Sequence, residues 1–245
     1  MQVSGERIPV PGTYNFRDVG GYPVPGGSVR SGKLFRSDAL SRLGDEGRNY
    51  LGHLGVGTVV DLRDNDEVEL FPDDLAGLEV QLVRLPVFEG SGRSQAVSDS
   101  TLRGLYEAIL LHHKDALISA LRYIIAADQA VVIHCAAGKD RTGIVIALAL
   151  SLIGVSREAV ISDYARTQPN LEGEWVATMT GLAEKHGFEV TPRLMEIMAG
   201  SPPEAMAGLL DLINERFGDV VGFVNSAGLS EREIDKLRAS LVMYD

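Results

Sequence analysis

The 245-residue chain has a single cysteine, Cys135, so it can form neither an intrachain disulfide nor a zinc cage of several thiolates. It also lacks a long apolar run. The greasiest stretch, Ile144 to Val155, is interrupted by Ser151 and is too short to span a bilayer. The opening MQVSGERIPVPG has neither the basic start nor the apolar core of a secretory signal. A cytoplasmic protein without a transmembrane segment is the expectation, although unconventional export leaves no such mark. Basic charge is scarce too: 23 Lys plus Arg against 34 Asp plus Glu give a net charge of −11. That field repels a phosphate backbone, so nucleic acid is not an expected partner. With 27 Gly and 10 Pro there is no low-complexity bias. No repeat, linker or charge block marks a boundary, and the length suits one domain, 1–245.

What is present reads as an α/β protein. Gly57 to Leu62 (GTVVDL), Leu78 to Val87 (LEVQLVRLPV) and Ala130 to Cys135 (AVVIHC) carry the β-branched runs of strands buried on both faces. Helical patterns lie between and after them, which predicts a mainly parallel sheet flanked by helices. The first forty residues read as short strands and turns, with room for a small hairpin. After Asp99 one long helical stretch, LRGLYEAILLHHKDALISALRYIIAA, leads to the strand ending in Cys135, and TGIVIALALSLIGV follows as the next helix. From Leu171 the pattern turns amphipathic, with Trp175, Val176, Met179, Leu182 and Ala183 on one face. Leu209, Leu210, Ile213 and Phe217 mark another helix. Ser230 with Glu233 forms a capping box before Ile234, Leu237 and Leu241.

The chemistry concentrates in His134-Cys135-Ala136-Ala137-Gly138-Lys139-Asp140-Arg141-Thr142-Gly143. Five residues separate Cys135 from Arg141, enough for the loop to curl into a cradle at a helix start. The backbone N–H groups of Ala136 to Thr142 would converge there on a tetrahedral anion, phosphate or another oxyanion. Gly138 supplies the backbone freedom. A thiol at such a terminus beside an always-charged arginine is expected to be a thiolate nucleophile at neutral pH. Arg141 can grip two phosphate oxygens at once. Thr142 can hydrogen-bond the departing thiolate, and His134 is placed to orient the loop rather than to react. A lone cysteine is more often a core residue. Here Gly138, Arg141 and Thr142 all stand at the offsets a phosphate cradle needs. The remaining histidines make no metal site: His112 and His113 face different sides of a helix, and His53 and His186 are isolated. Asp64, Asp66 and Glu67 read as a solvated acidic helix start.

HCxxGKDRTG resembles the signature loop of cysteine-dependent protein-tyrosine phosphatases, and its KD pair resembles bacterial tyrosine and phosphoinositide phosphatases of the PtpB type. Asn15-Phe16-Arg17-Asp18 with Gly20-Gly21-Tyr22, Leu34-Phe35-Arg36-Ser37, Val60-Asp61-Leu62-Arg63 and Asp163-Tyr164-Ala165 resemble that family's pattern in the same order. The resemblance implies a phosphomonoester hydrolase acting through phosphocysteine, with no metal and no cofactor, on phosphotyrosine first, with phosphoserine, phosphothreonine and phosphoinositides as further substrates and phosphoinositides or inositol phosphates as the alternative main substrate. Among the acids it implies, Asp140 ranks first and Asp61 second. For Asp61 a strand-end carboxylate pairing with Arg63 is an equal alternative. Lys139 either adds a cation for a highly charged headgroup or is simply solvated. The segment within about 167–203 falls where similar enzymes place a helical lid, and ordinary core helices are the competing account. Two other functions remain in view. Rhodanese-like sulfur transfer commonly has fewer residues before the arginine, and an inactive phosphate-binding module would usually lack the cysteine or the arginine.

Overall fold

The computed structural model describes residues 4–87, 101–185, 189–191, 195 and 198–245. The chain opens with β1 (Arg17–Asp18), β2 (Pro23–Val24), β3 (Gly27–Val29) and β4 (Leu34–Ser37). It continues through α1 (Gly44–His53), β5 (Val56–Asp61), α2 (Asn65–Leu70) and β6 (Gln81–Arg84). Then come α3 (Leu102–His112), α4 (Lys114–Ala126), β7 (Ala130–His134), α5 (Asp140–Leu152) and α6 (Arg157–Ala165). The last part holds α7 (Thr167–Leu171), α8 (Glu174–Lys185), α9 (Pro203–Phe217), α10 (Val220–Ser226), α11 (Glu231–Leu241) and β8 (Val242–Tyr244).

The main sheet has the order β1-β4-β7-β5-β6, with β4, β7, β5 and β6 mutually parallel and β1 antiparallel at the edge. Its central strand, β7, is buried along its whole length, as its unbroken AVVIH run requires. Alternate residues serve opposite faces. Val60, Val131 and Ile133 join the larger core with α3 to α6 and α9 to α11, while Val59 and Val132 join a smaller core with Phe35 and Leu51. The expected hairpin is β2–β3, and β8 pairs with β3 to tie the end of the chain to it.

Two expectations are corrected. The long helix after Asp99 is two, broken at His113, whose backbone leaves the helical region at φ −120°, ψ 21°. The buried stripe Tyr106, Ile109, Leu110 resumes only at Leu117, and residues 112–115 between them carry no apolar side chain to hold the turn down. Strand β6 is shorter than the expected Leu78 to Val87 because it lies at the sheet edge with three of its four residues exposed. Leu34–Ser37, within the region read as short strands and turns, is a fully buried strand beside β7. The capping box at Ser230 and Glu233 is present as expected. His186, part of the stretch 167–203, and the side chains of Leu182 and Ala183 lie outside the described residues.

Candidate active site

Cys135 follows directly on β7 at the carboxyl ends of the parallel strands, and it is 2% exposed. By alternation it faces the larger core with Ile133, whereas His134 faces the other side with Val132. The chain then curls through Gly138 at φ +66°, where a Cβ would lie 2.3 Å from the Ser37 carbonyl oxygen. Only glycine fits that turn. The loop's carbonyls are drawn into the body of the protein. Ala136 O accepts from Ala39 N at 3.1 Å, Ala137 O from Asn15 Nδ2 at 3.0 Å, and Gly138 O from Arg36 Nη2 at 2.7 Å. A trans peptide whose carbonyl points inward turns its N–H outward. The amides of Ala137, Gly138 and Lys139 are thereby aimed away from the body, next to the unpaired first N–H groups of α5.

The motifs Asn15–Asp18, Leu34–Ser37 and Asp163–Ala165 meet beneath this loop. Arg36 pairs closely with Asp163, Arg17 lies 4.0 Å from the same carboxylate, and Tyr22 donates to it at 3.1 Å. All three charges are buried. Burial opposes the charge on Asp163, but Arg36 and Arg17 outweigh it and hold the carboxyl below its usual range. Removing one partner of such a group costs about 3–5 kcal/mol, which locks Arg36 under Gly138. Asp38 accepts from the Asn15 amide at 2.8 Å and the Tyr14 amide at 3.0 Å, fixing the backbone that presents Asn15.

Arg141 is clamped by Glu67: Nη1 donates to Oε2 at 2.5 Å and Nη2 to Oε1 at 2.8 Å. Burial works against both charges and is overcome. The Arg141 bonds and the Asp64 amide hold Glu67 below its usual range, while Glu67 and Cys135 hold Arg141 above its own. The clamp takes the outer edge of the guanidinium, and among the described residues no partner takes its Nε–Nη2 edge, which can face an anion. The solvated reading of Glu67 is therefore corrected. Asp64 does cap α2, and the reciprocal capping box with Glu67 was legible as D-x-x-E, but a partner 74 residues away was not.

Asp140 opens α5 and accepts on Oδ1 from the Tyr106 hydroxyl at 2.6 Å, with Lys139 Nζ 3.5 Å from the same oxygen. Tyr164 Oη stands 2.5 Å from Tyr106 Oη. Lys139 is fully buried, which removes the solvated alternative. Thr142 is also buried, and among the described residues its hydroxyl finds no hydrogen-bond partner.

Asp61 lies on the far face of the sheet from Cys135, two residues after Val59 on β5. Its carboxylate takes Arg63 Nε at 2.9 Å and Nη2 at 3.0 Å. Arg63 also meets Asp73 at 2.7 Å, and His134 Nε2 lies 3.2 Å from Asp73 at ion-pair rather than hydrogen-bond geometry. Burial opposes a charge on His134, but Asp73 and Asp61 raise its affinity for a proton. Asp61, Asp73 and His134 bring three ligand-type atoms within 4.8 Å. Arg63 already bonds both carboxylates, and its charge with that of a protonated His134 balances them. That composition does not suit a metal ion.

Above the loop, Trp175 on α8, Leu171 and Ala199 form a small apolar cluster with Ala137 of the loop itself, separate from both main cores. No helix among the described residues is long and apolar enough to cross a membrane.

Residues 8–243 match the tyrosine phosphatase family. The chain belongs to that family. It is 30% identical to the triple specificity protein phosphatase PtpB of Mycobacterium tuberculosis (strain ATCC 25618 / H37Rv), over 95% of this chain and 98% of that one. It is 31% identical to a tyrosine-protein phosphatase of Nostoc commune, over 87% of this chain and 76% of the relative. A third relative, a putative tyrosine-protein phosphatase of Cupriavidus necator (strain ATCC 17699 / DSM 428 / KCTC 22496 / NCIMB 10442 / H16 / Stanier 337), is 29% identical over 87% and 81% of the two chains. The family match spans the loop, the buried arginine platform and α6 alike, so the resemblance of the motifs extends to nearly the whole chain.

Proposed function

We propose that the protein hydrolyses phosphomonoesters, phosphotyrosine in proteins first among them, through a phosphocysteine intermediate. The observation that carries this is the junction at Cys135: a sulfur at the end of a buried strand, outward-facing amides, and an arginine held with one edge available. In the first step Sγ attacks phosphorus, the S–P bond forms, and the P–O bond to the leaving group breaks as Asp140 gives that oxygen its proton. In the second, Asp140 takes a proton from water, the hydroxide attacks phosphorus, and the S–P bond breaks to release phosphate. Thr142, whose buried hydroxyl has no hydrogen-bond partner among the described residues, suits the departing sulfur. Arg141 and the loop amides stabilise the charge of both transfers. We assign the acid to Asp140 rather than Asp61, whose oxygens serve Arg63 on the opposite face of the sheet.

Lys139, buried beside Asp140, gives the cradle an added cation and supports phosphoinositides as a second substrate class. The site asks for phosphorylated protein or lipid, and the lone cysteine suits a reducing, cytoplasmic setting. One domain with α7 and α8 as a lid is the organisation we favour.

Steady-state assays on phosphopeptides and phosphoinositides with chelator present test the reading. Activity should survive chelation, and Cys135→Ser should abolish it while phosphate binding persists. Arg141→Lys should fail almost as badly, because a point charge cannot replace the planar fork. Turnover near wild type in Cys135→Ser would sink the mechanism.

A further inference from the structure

Tyr106 lies on α3, 34 residues before Asp140, and its ring is buried edge-on to Tyr164 with centroids 6.1 Å apart. Its hydroxyl serves Asp140 Oδ1 at 2.6 Å and meets the Tyr164 hydroxyl at 2.5 Å. If Tyr106 donates to the carboxylate, Tyr164 donates to Tyr106, giving a chain of two hydroxyls that ends on one carboxylate oxygen. Both hydroxyls keep their protons firmly. Burial and then the charge of Asp140 raise Tyr106 well above the ordinary phenol range and raise Tyr164 as well. Lys139 also reaches Oδ1, and among the described residues Oδ2 takes no hydrogen bond. The carboxyl group is thus held by one oxygen and presents the other.

We infer that Tyr106, backed by Tyr164, is a positioning residue for the general acid, fixing Asp140 so that Oδ2 meets the leaving-group oxygen. This rests on the assignment of the acid to Asp140. When Oδ2 gives up its proton and the P–O bond breaks, negative charge grows on the carboxylate. The hydrogen bond to Oδ1 strengthens with that charge, so it contributes more in the transition state than in the ground state. Pure packing of the Tyr106 ring would show no such dependence on charge.

The dependence is measurable as a slope. The value of kcat/KM reports steps up to the first bond cleavage, so a graded series of aryl phosphates with a simple alkyl phosphate reads the demand for a proton at the leaving oxygen. Tyr106→Phe keeps the ring and removes the hydroxyl. It should lower kcat/KM for phenyl and alkyl phosphates roughly ten- to hundredfold, and for nitrophenyl-type leaving groups by under about threefold. Asp140→Asn should show the same trend more steeply. The double variant should be no worse than Asp140→Asn alone, because the hydroxyl acts only through that carboxyl. A loss that is uniform across the series, or full additivity in the double variant, overturns the role of Tyr106. A flat series for Asp140→Asn overturns the acid assignment itself, so the two failures are distinguishable. Tyr164→Phe gives a second reading that leaves the Tyr106–Asp140 contact in place. It should tilt the series the same way by a smaller factor, and if Tyr106→Phe does not fold, a flat series for Tyr164→Phe rejects the proposal.

Discussion

Glu67 shows what a single residue contributes here. Its carboxylate holds Arg141 by two bonds and receives the Asp64 amide at 2.9 Å, so the guanidinium is fixed to the start of α2 rather than left to find its rotamer. Glu67→Gln keeps the shape and loses the charge. It should weaken phosphate or vanadate binding and lower kcat/KM by roughly tenfold, the scale of one charge-assisted hydrogen bond, and should lower the melting temperature as well. Titration of vanadate into the variant checks this, and unchanged affinity would reduce Glu67 to a helix cap. The loop residues Cys135, Gly138, Arg141 and Thr142 were legible because their spacing within ten positions is itself the signal. Glu67, Tyr106 and Asp73 were not, since their partners lie 74, 34 and 61 residues away and no local pattern records such pairs.

Among the elements, α8 is the informative one. The apolar stripe from Leu171 cannot tell a lid from a core helix, because both need a face to bury. The placement of Trp175 favours the lid: it is buried in a small cluster with the loop's Ala137 and joins neither main core. Trp175→Ala should therefore open the approach to Cys135 without loosening the sheet. Inactivation by peroxide should quicken several-fold and KM should shift, while the melting temperature falls far less than for Leu148→Ala in the main core, where such truncations cost about 2–5 kcal/mol. A large stability loss with unchanged inactivation would make α8 part of the core. Strands β5 and β7 were readable from their unbroken apolar runs. Strand β4 fell among the short strands read in the first forty residues, but its place inside the sheet was not legible, because its buried Arg36 is partnered by Asp163 and Gly138 far along the chain.

For the whole molecule, buried charge sets how stability follows pH. Asp38 is raised to about 6, because burial outweighs the hydrogen bonds from Asn15 and Tyr14. Its contribution to stability is complete below its unfolded value and is lost as pH climbs through 6, at a cost on the order of 3 kcal/mol. His134, also raised, has the same sign and loses its contribution at higher pH. Asp73, Asp163 and Glu67 are lowered, so theirs is complete above the ordinary carboxylate range and lost in acid. The melting temperature should peak in weakly acidic buffer, between about pH 4 and 6. Asp38→Asn should gain on the wild type as pH rises from 5 to 8, and a gap that stays constant in parallel melts would contradict the account. The neighbouring residues Asp163 and Tyr164 have one more consequence. The first holds Arg36 under Gly138 and the second backs Tyr106 at Asp140, so one peptide unit of α6 serves both halves of the loop. A residue inserted or deleted between Ser156 and Asp163 would swing both side chains by about 100° around the helix. Divergent descendants of this chain are thus bound to keep the count of residues in that one helix.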